Sequence, residues 1–363
     1  MTIEELELTN FRSYSGAHFD LHPNVTIVAG PNASGKTNLL ESIYVLASTK
    51  SFRARDRDLV QHEQDHFRIA AKFSSDEYAL AVSTADGSVQ KKITHGGIKR
   101  TLVSHVGRVQ VTLFEPTDLQ LVSGPPDSRR RYLDFILCQT DPAYLKTLQQ
   151  YRRVLKQRNT LLDGFDMERI REQIFVWDVK LAELALEIFE SRVRLLGVMS
   201  KLVPDFYRDI AGTSEAVSFE YLPTVATPYG QNFLDVLARN LTRDLAAGFT
   251  TIGPHREDFK VTFKNNDITA VASRGEVRTL ILAMKLAELT YAEQITGIRP
   301  ILLLDDVFSE LDGQRRAFLL DRLQSHQTVI TTTDADSVTR EFRTPHDVIL
   351  TETNQPAPRE AAR

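Results

Sequence analysis

A single cysteine, Cys138, stands in the 363 residues. A lone thiol excludes a disulfide framework and any Cys-x-x-Cys zinc site, and such cysteine usage fits a reducing cytosol. No uncharged apolar run approaches the roughly 20 residues that a membrane-spanning helix needs. The segment Met1-Thr2-Ile3-Glu4-Glu5 has neither the basic stretch nor the apolar core of a secretory signal, so a cytoplasmic protein without a membrane partner is expected. An excess of one charge is missing too: 44 Lys and Arg stand against 48 Asp and Glu, a net charge of -4. Bulk charge therefore announces no nucleic-acid partner, which would need a local basic patch. Internal repeats and low-complexity tracts are absent. The chain has the composition of a soluble globular protein and length for two or three structural units.

What is present begins with Gly30-Pro31-Asn32-Ala33-Ser34-Gly35-Lys36-Thr37. The apolar run Val25–Ala29 before it reads as a buried strand. Leu39, Leu40, Ile43, Leu46 and Ala47 after it recur at helical spacing. Strand, glycine-rich loop, Lys-Thr and helix form the context that a phosphate-binding loop requires. Gly30 and Gly35 let backbone N–H groups approach phosphate oxygens where a Cβ would obstruct them. Lys36 then reaches the β- and γ-phosphates, and the Thr37 hydroxyl serves Mg²⁺.

Ile301-Leu302-Leu303-Leu304-Asp305-Asp306 reads as an apolar parallel strand ending in two carboxylates, a Walker B pattern. Asp305 is suited to hold Mg²⁺ through water, and Asp306 to orient or deprotonate an attacking water. Ser273-Arg274-Gly275-Glu276 opens a helix that carries Leu280, Ala283, Met284, Leu286, Ala287 and Leu289. Locally it is a capping box, with Ser273 capping the first amides and Glu276 reaching back. Functionally it is a helix start fit to receive an anion. Both readings hold together. Gly297 is a plausible end for that helix.

Elsewhere, strands are expected at Ile3–Leu8, Phe19–Leu21, Phe67–Phe73, Tyr78–Ser83, Val89–Ile93, Val106–Phe114 and Phe259–Phe263. From Gly124-Pro125-Pro126 to about residue 210 the pattern is helical. Tyr144, Leu148, Tyr151, Leu155 and Leu162 form one stripe. Trp177, Leu181, Leu184, Ile188, Leu195, Val198 and Leu202 form another, interrupted at Ser191. Asp163-Gly164 between them predicts two antiparallel helices that bury these stripes on each other.

In this order, the phosphate loop, the helical insertion, Ser-x-Gly-Glu, Asp305-Asp306 and Ser309-Glu310-Leu311-Asp312 resemble an ABC-type ATPase head. Within that class the chain is similar to the RecF family of bacterial recombination mediators over nearly its full length. The matching stretches are Asn10-Phe11-Arg12-Ser13-Tyr14, Lys50-Ser51-Phe52-Arg53, Phe114–Leu119, Gly124–Asp134, Gly253–Asp258 and Leu304–Asp312. The resemblance implies an α/β fold: a P-loop head with a mixed sheet and an antiparallel β region, residues 1–124 and 250–363, split by a helical insertion at 125–249. It implies ATP contacts from Arg12, from Gly30 through Asn38, and from Ser273 and Gly275, with Lys36, Ser273 and Asp306 catalytic. The Ser273 of one subunit would meet the γ-phosphate held by the other, so that ATP joins two copies. Further implications are DNA repair and replication restart at duplex bordering a single-strand gap, with RecR and RecO as partners and a weak, DNA-stimulated ATPase.

Departures are visible. Arg274 and Glu276 stand where many such heads have glycine and glutamine. Thr331-Thr332-Thr333-Asp334 contains no switch histidine, which argues for slow turnover. Gln110 and Gln120 are both candidates for the Q-loop. For DNA, residues 126–171 carry a basic excess, with Arg129, Arg130, Arg131, Arg152 and Lys156 as the candidate contacts. The bland readings are a solvated helix face, or salt bridges from Arg129–Arg131 to Asp127 and Asp134. Lys50, Arg53, Arg55 and Arg57 form a second basic cluster. The competing functions are a transporter's nucleotide-binding subunit, a chromosome-organising head of the SMC or Rad50 kind, and a scaffold that binds ATP without hydrolysing it. The 269 positions between Lys36 and Asp305 (305 − 36) speak against the first, and the lack of long heptad arms against the second.

Overall fold

The computed structural model describes residues 2–74, 76–162, 167–334, 338–339 and 345–351. The expected turn at Asp163-Gly164 lies outside the described residues, as do the tail beyond Thr351 and the side chains of Arg169, Arg171, Ser309 and Glu310. The chain divides into two compact units, Met1–Asp118 with Glu288–Arg363, and Leu119–Ala287.

The first unit contains two sheets. One is five-stranded and parallel throughout, in the order His346–Leu350, Val25–Ala29, Thr328–Thr332, Ile301–Asp305, Val111–Phe114. Both faces of the sheet are covered, so Val25–Ala29 and Thr328–Thr332 are buried at every position, Thr26, Thr328, Thr331 and Thr332 included. The other is antiparallel, in the order Tyr14–Asp20, Ile3–Phe11, His66–Phe73, Asp76–Ser83, Gln90–His95, Ile98–Arg100. Helix Lys36–Ser48 contacts strands of both sheets. That explains why Val45 is buried along with the expected Leu39, Leu40, Ile43, Leu46 and Ala47. The strand expected over Val106–Phe114 is shorter. His105 ends a helical turn, Gly107 takes φ 89° as the chain reverses, and pairing begins at Val111.

The second unit is built on helices Pro126–Thr140, Pro142–Leu162, Met167–Ala211 and Tyr229–Ala247, with a three-stranded antiparallel sheet of Asn266–Asp267, Asp258–Phe263 and Val217–Leu222. The two long helices run antiparallel: Tyr144 meets Arg192, Thr147 meets Glu187, and Arg158 meets Asp178. Most of each expected apolar stripe is buried, but Leu155 and Trp177 are half-exposed, with Val154 in the core beside Leu155. Beyond Leu195, Met199 and Val203 take the core positions while Val198 and Leu202 are half-exposed. No helix among the described residues is long and apolar enough to cross a membrane.

Candidate nucleotide site and basic surfaces

Parallel strands all deliver their carboxyl ends to one edge, and in open α/β sheets ligands bind in the crevice beyond it. Here that edge receives Gly30–Thr37 from Val25–Ala29, Asp305-Asp306 from Ile301–Asp305, and Thr331–Asp334 from Thr328–Thr332. Gly30 N–H donates to the Thr332 carbonyl, which ties the start of the loop to the neighbouring strand. Gly35 sits at φ 100°, and a Cβ there would lie 2.8 Å from the Tyr14 hydroxyl, so both backbone and space call for glycine. Gln110, one of the two Q-loop candidates, belongs to the opposite end of the sheet. It precedes Val111–Phe114, is buried, and donates to the Gly107 carbonyl.

Lys36 Nζ donates to the carbonyls of Gly30 and Pro31, each at 2.7 Å, so its ammonium is folded over the loop. Burial pulls its pKa down, while the charges of Asp306 and Asp305 push it back up. Thr37 Oγ1 donates to Asp305 Oδ1 at 2.9 Å, and Thr331 Oγ1 donates to the same oxygen at 2.7 Å. Asp306 takes the left-handed conformation, φ 52°, and its N–H donates to Thr331 Oγ1 at 3.0 Å. A hydroxyl and a carboxylate within one hydrogen bond of each other at the loop are the hard oxygen donors that suit Mg²⁺. The donor set therefore fits that ion.

Beside the loop helix lies an open pocket of about 600 Å³ lined by Arg12, Ser13, Asn38, Arg53, Ala54, Asp58 and Val60. Arg12 is aimed by Glu41, a fully buried carboxylate that accepts both of its guanidinium N–H groups at 2.9 Å. Arg53 also donates to Glu41, at 2.9 Å, and to Asn38 Oδ1 at 2.7 Å, and Ser51 donates at 2.5 Å. Glu41 is thus the hub of this corner, and burial, which raises its pKa, is outweighed by these three donors. It was missed in sequence because its partners lie in two other segments. The signal that was available is a glutamate between the apolar Leu39-Leu40 and Ile43.

At the other motif, Ser273 N–H donates to Glu276 Oε2 at 2.8 Å and Glu276 N–H to Ser273 Oγ at 3.3 Å, closing the capping box. Lys264 holds the Glu276 carboxylate at 2.8 Å, and this bond with the Ser273 contacts brings its pKa down to about 2. Ser273 and Arg274 are exposed and Gly275 is half-buried. The helix runs from Arg274 to Thr296, and Gly297 ends it at φ 69°.

The basic candidates have unequal fates. Arg129 makes a bidentate pair with Asp258, at 2.7 and 2.6 Å, and Arg130 donates to the Glu257 carbonyl. Arg131 pairs with Asp127 one turn back and is 67% exposed. Asp134 serves Arg192 at 2.8 Å and, more loosely, Arg152 at 3.3 Å. Arg152, Arg153 and Lys156 are exposed on one helix. In the second cluster, besides Arg53, Arg57 donates to the Gly87 carbonyl. Arg158, counted from sequence within the basic excess, is fully buried between Asp178 and Asp244.

A family model described as the RecF/RecN/SMC N terminal domain matches residues 2–355. The DNA replication and repair protein RecF of Staphylococcus aureus is 36% identical over 356 residues, covering 94% of this chain and 96% of that protein. Two solved structures of the recombination mediator protein RecF in the RecFOR pathway, RecF-ATPrS and RecF-ATP, are each 30% identical to this chain. The first has a TM-score of 0.84 and covers 96% of this chain and 95% of that one. The second has a TM-score of 0.83 and covers 92% of both.

Proposed function

The chain belongs to the RecF/RecN/SMC N-terminal domain family and has its α/β ATPase-head fold, and from that premise we propose an ATP-switched DNA-binding protein that acts as a recombination mediator in DNA repair and replication. The observation that carries this reading is the junction of Thr37 and Asp305 at the carboxyl edge of the parallel sheet. It joins two motifs 268 positions apart. The two RecF structures named for ATP and ATPrS support the choice of nucleotide.

In this proposal the amides of Gly30–Thr37 cradle the phosphates, and Lys36 leaves the Gly30 and Pro31 carbonyls for the β- and γ-phosphates. Thr37 and Asp305 hold Mg²⁺, which supplies charge neutralisation at the phosphates. Asp306 orients or deprotonates the attacking water, and Arg12 and Asn38 flank the nucleoside side of the site. Ser273 and Gly275, at an exposed helix start, dock on the γ-phosphate held by a second copy, so ATP joins two heads and hydrolysis parts them. The two-lobe division, 1–124 and 250–363 against 125–249, belongs to the same proposal. All of 125–249 falls in one compact unit, which also takes in residues 250–287 that this division gives to the other lobe. For DNA, we place the contacts on Arg131, Arg152 and Lys156 and withdraw weight from Arg129 and Arg130, whose guanidinium groups are engaged within the fold. Duplex beside a single-strand gap is the proposed target, RecR and RecO are the proposed partners, turnover is slow because no histidine stands in Thr331–Asp334, and DNA is proposed to stimulate it.

Sedimentation with ATP, with ADP, and with ATP plus gapped duplex, while phosphate release is followed, tests this reading. A dimer with ATP alone, bound to DNA and dissolving as phosphate appears, is the expected result. ATP binding with no phosphate release, even with DNA, would indicate a scaffold that uses ATP as structural glue.

A further inference from the structure

The last described residue, Thr351, follows the edge strand His346–Leu350, yet it ends on the phosphate loop. Its N–H continues the ladder by donating to the Ala29 carbonyl at 2.8 Å. Its hydroxyl donates to the same carbonyl at 3.2 Å. Thr351 Oγ1 also lies 2.6 Å from Ser34 Oγ, so the two hydroxyls share a hydrogen bond. Both residues are buried, at 8% and 9% exposure. The approach is close enough that a Cβ on Gly30 would run into the Thr351 carbonyl and hydroxyl. Gly30 is therefore required by this contact as well as by any phosphate. The link joins residues 317 positions apart and anchors Ser34 next to Pro31, Asn32 and Ala33, which are exposed.

We propose that Thr351 is a positioning residue for nucleotide binding: its hydroxyl, relayed through Ser34, holds the middle of the phosphate loop in the shape that presents its amides. The proposal rests on the reading of Gly30–Thr37 as an ATP site. Without the Thr351 hydroxyl, the buried Ser34 hydroxyl loses this partner, and the loop shifts to satisfy it. Leaving a buried hydrogen-bonding group unmatched costs more than deleting both partners.

The test is a double-mutant cycle on the full chain, with Mg·ATP binding measured by titration and folding by thermal unfolding. Thr351→Val keeps the volume and removes the hydroxyl, and ATP should bind about tenfold more weakly. Thr351→Ser should restore affinity to within about twofold of the wild type. In a Ser34→Ala background, where no hydroxyl is left stranded, Thr351→Val should cost about twofold or less, since the two sites couple. If Thr351→Val does not fold, Thr351→Ala serves the same cycle. Wild-type affinity in Thr351→Val overturns the proposal, and so does an equal loss in both backgrounds, which would assign the effect to the strand. A wild-type protein that fails to bind ATP overturns the underlying site reading and the proposal with it.

Discussion

In the first unit, Lys36 is held by two loop carbonyls, and its nearest carboxylates, Asp305 and Asp306, act on it as charges across the site. In the second, Arg129 is gripped at both ends of its guanidinium by Asp258 and also donates to the Gly124 carbonyl. Both cations sit in short motifs that match the same family, and both are largely shielded from water. A neutral carbonyl partner is a weak competitor for a phosphate, whereas a bidentate carboxylate is a strong one. The lysine is thus poised to change partners and the arginine is part of the fold. A basic residue's type and neighbours in sequence do not settle which of the two it is. The carboxylate that decides lies 129 positions away.

The largest effect expected from this contrast is at Lys36. Lys36→Met should abolish ATP binding or the ATP-dependent switch, as read by nucleotide titration and sedimentation. Asp306→Asn should still bind ATP, yet the ATP-bound form should accumulate because water activation fails. Hydrolysis at the wild-type rate in Asp306→Asn would remove that carboxylate from its assigned role.

At the arginine run the effect should be on stability. Arg129→Ala leaves Asp258 without its partner and should cost about 2–3 kcal/mol in denaturant unfolding. Arg131→Ala loses a one-turn surface pair and should stay within about 0.5 kcal/mol. Equal costs at the two positions would dissolve the distinction between structural and available cations.

A comparison of the two units against pH should come next in size. His95 in the first and His255 in the second are each brought down to about 4, chiefly by burial. His95 donates to His105 Nδ1 at 2.8 Å, and His255 Nδ1 accepts from the Tyr151 hydroxyl at 2.7 Å while Nε2 faces the Thr250 carbonyl at 3.0 Å. Below the ordinary 6.5, an unfolded chain takes up protons that the folded histidines refuse until pH is near 4. Stability is therefore fully present above 6.5 and lost as pH falls toward 4. His255→Asn should be less stable at neutral pH and show a shallower decline. A decline as steep as that of the wild type would mean that other groups carry it.

The smallest effect should be on the exposed stripe. Changing Arg152 and Lys156 to Ala should lower the salt slope of DNA binding by about 2, with similar weakening for all sequences. An unchanged slope in the folded double variant would move the DNA surface elsewhere, with the cluster from Lys50 to Arg57 next in line.

The phosphate loop, the Walker B strand and the capping box were legible because each is a contiguous pattern whose local geometry is fixed by its own residues. The hubs were not. Glu41 binds Arg12 and Arg53 from separate segments, and Thr351 reaches Ser34 across nearly the whole chain. Arg192 shows where a signal was present and passed over. It falls between Ile188 and Leu195 at core spacing, so an arginine on an apolar stripe marked a buried ion pair, here with Asp134. The shortened strand at Val111 has a similar cause, for Gly107 broke a run that composition alone made continuous.

The most direct measurement is sedimentation velocity of the wild type and of Ser273→Arg with ATP, with nucleotide binding and thermal unfolding recorded on the same samples. Loss of the cap alone should cost only ~1 kcal/mol, small enough to leave the variant folded. The wild type should dimerise with ATP and not with ADP, while folded Ser273→Arg should bind ATP and remain a monomer. An ATP-dependent dimer that persists in Ser273→Arg would contradict a site completed by the helix start of a second copy.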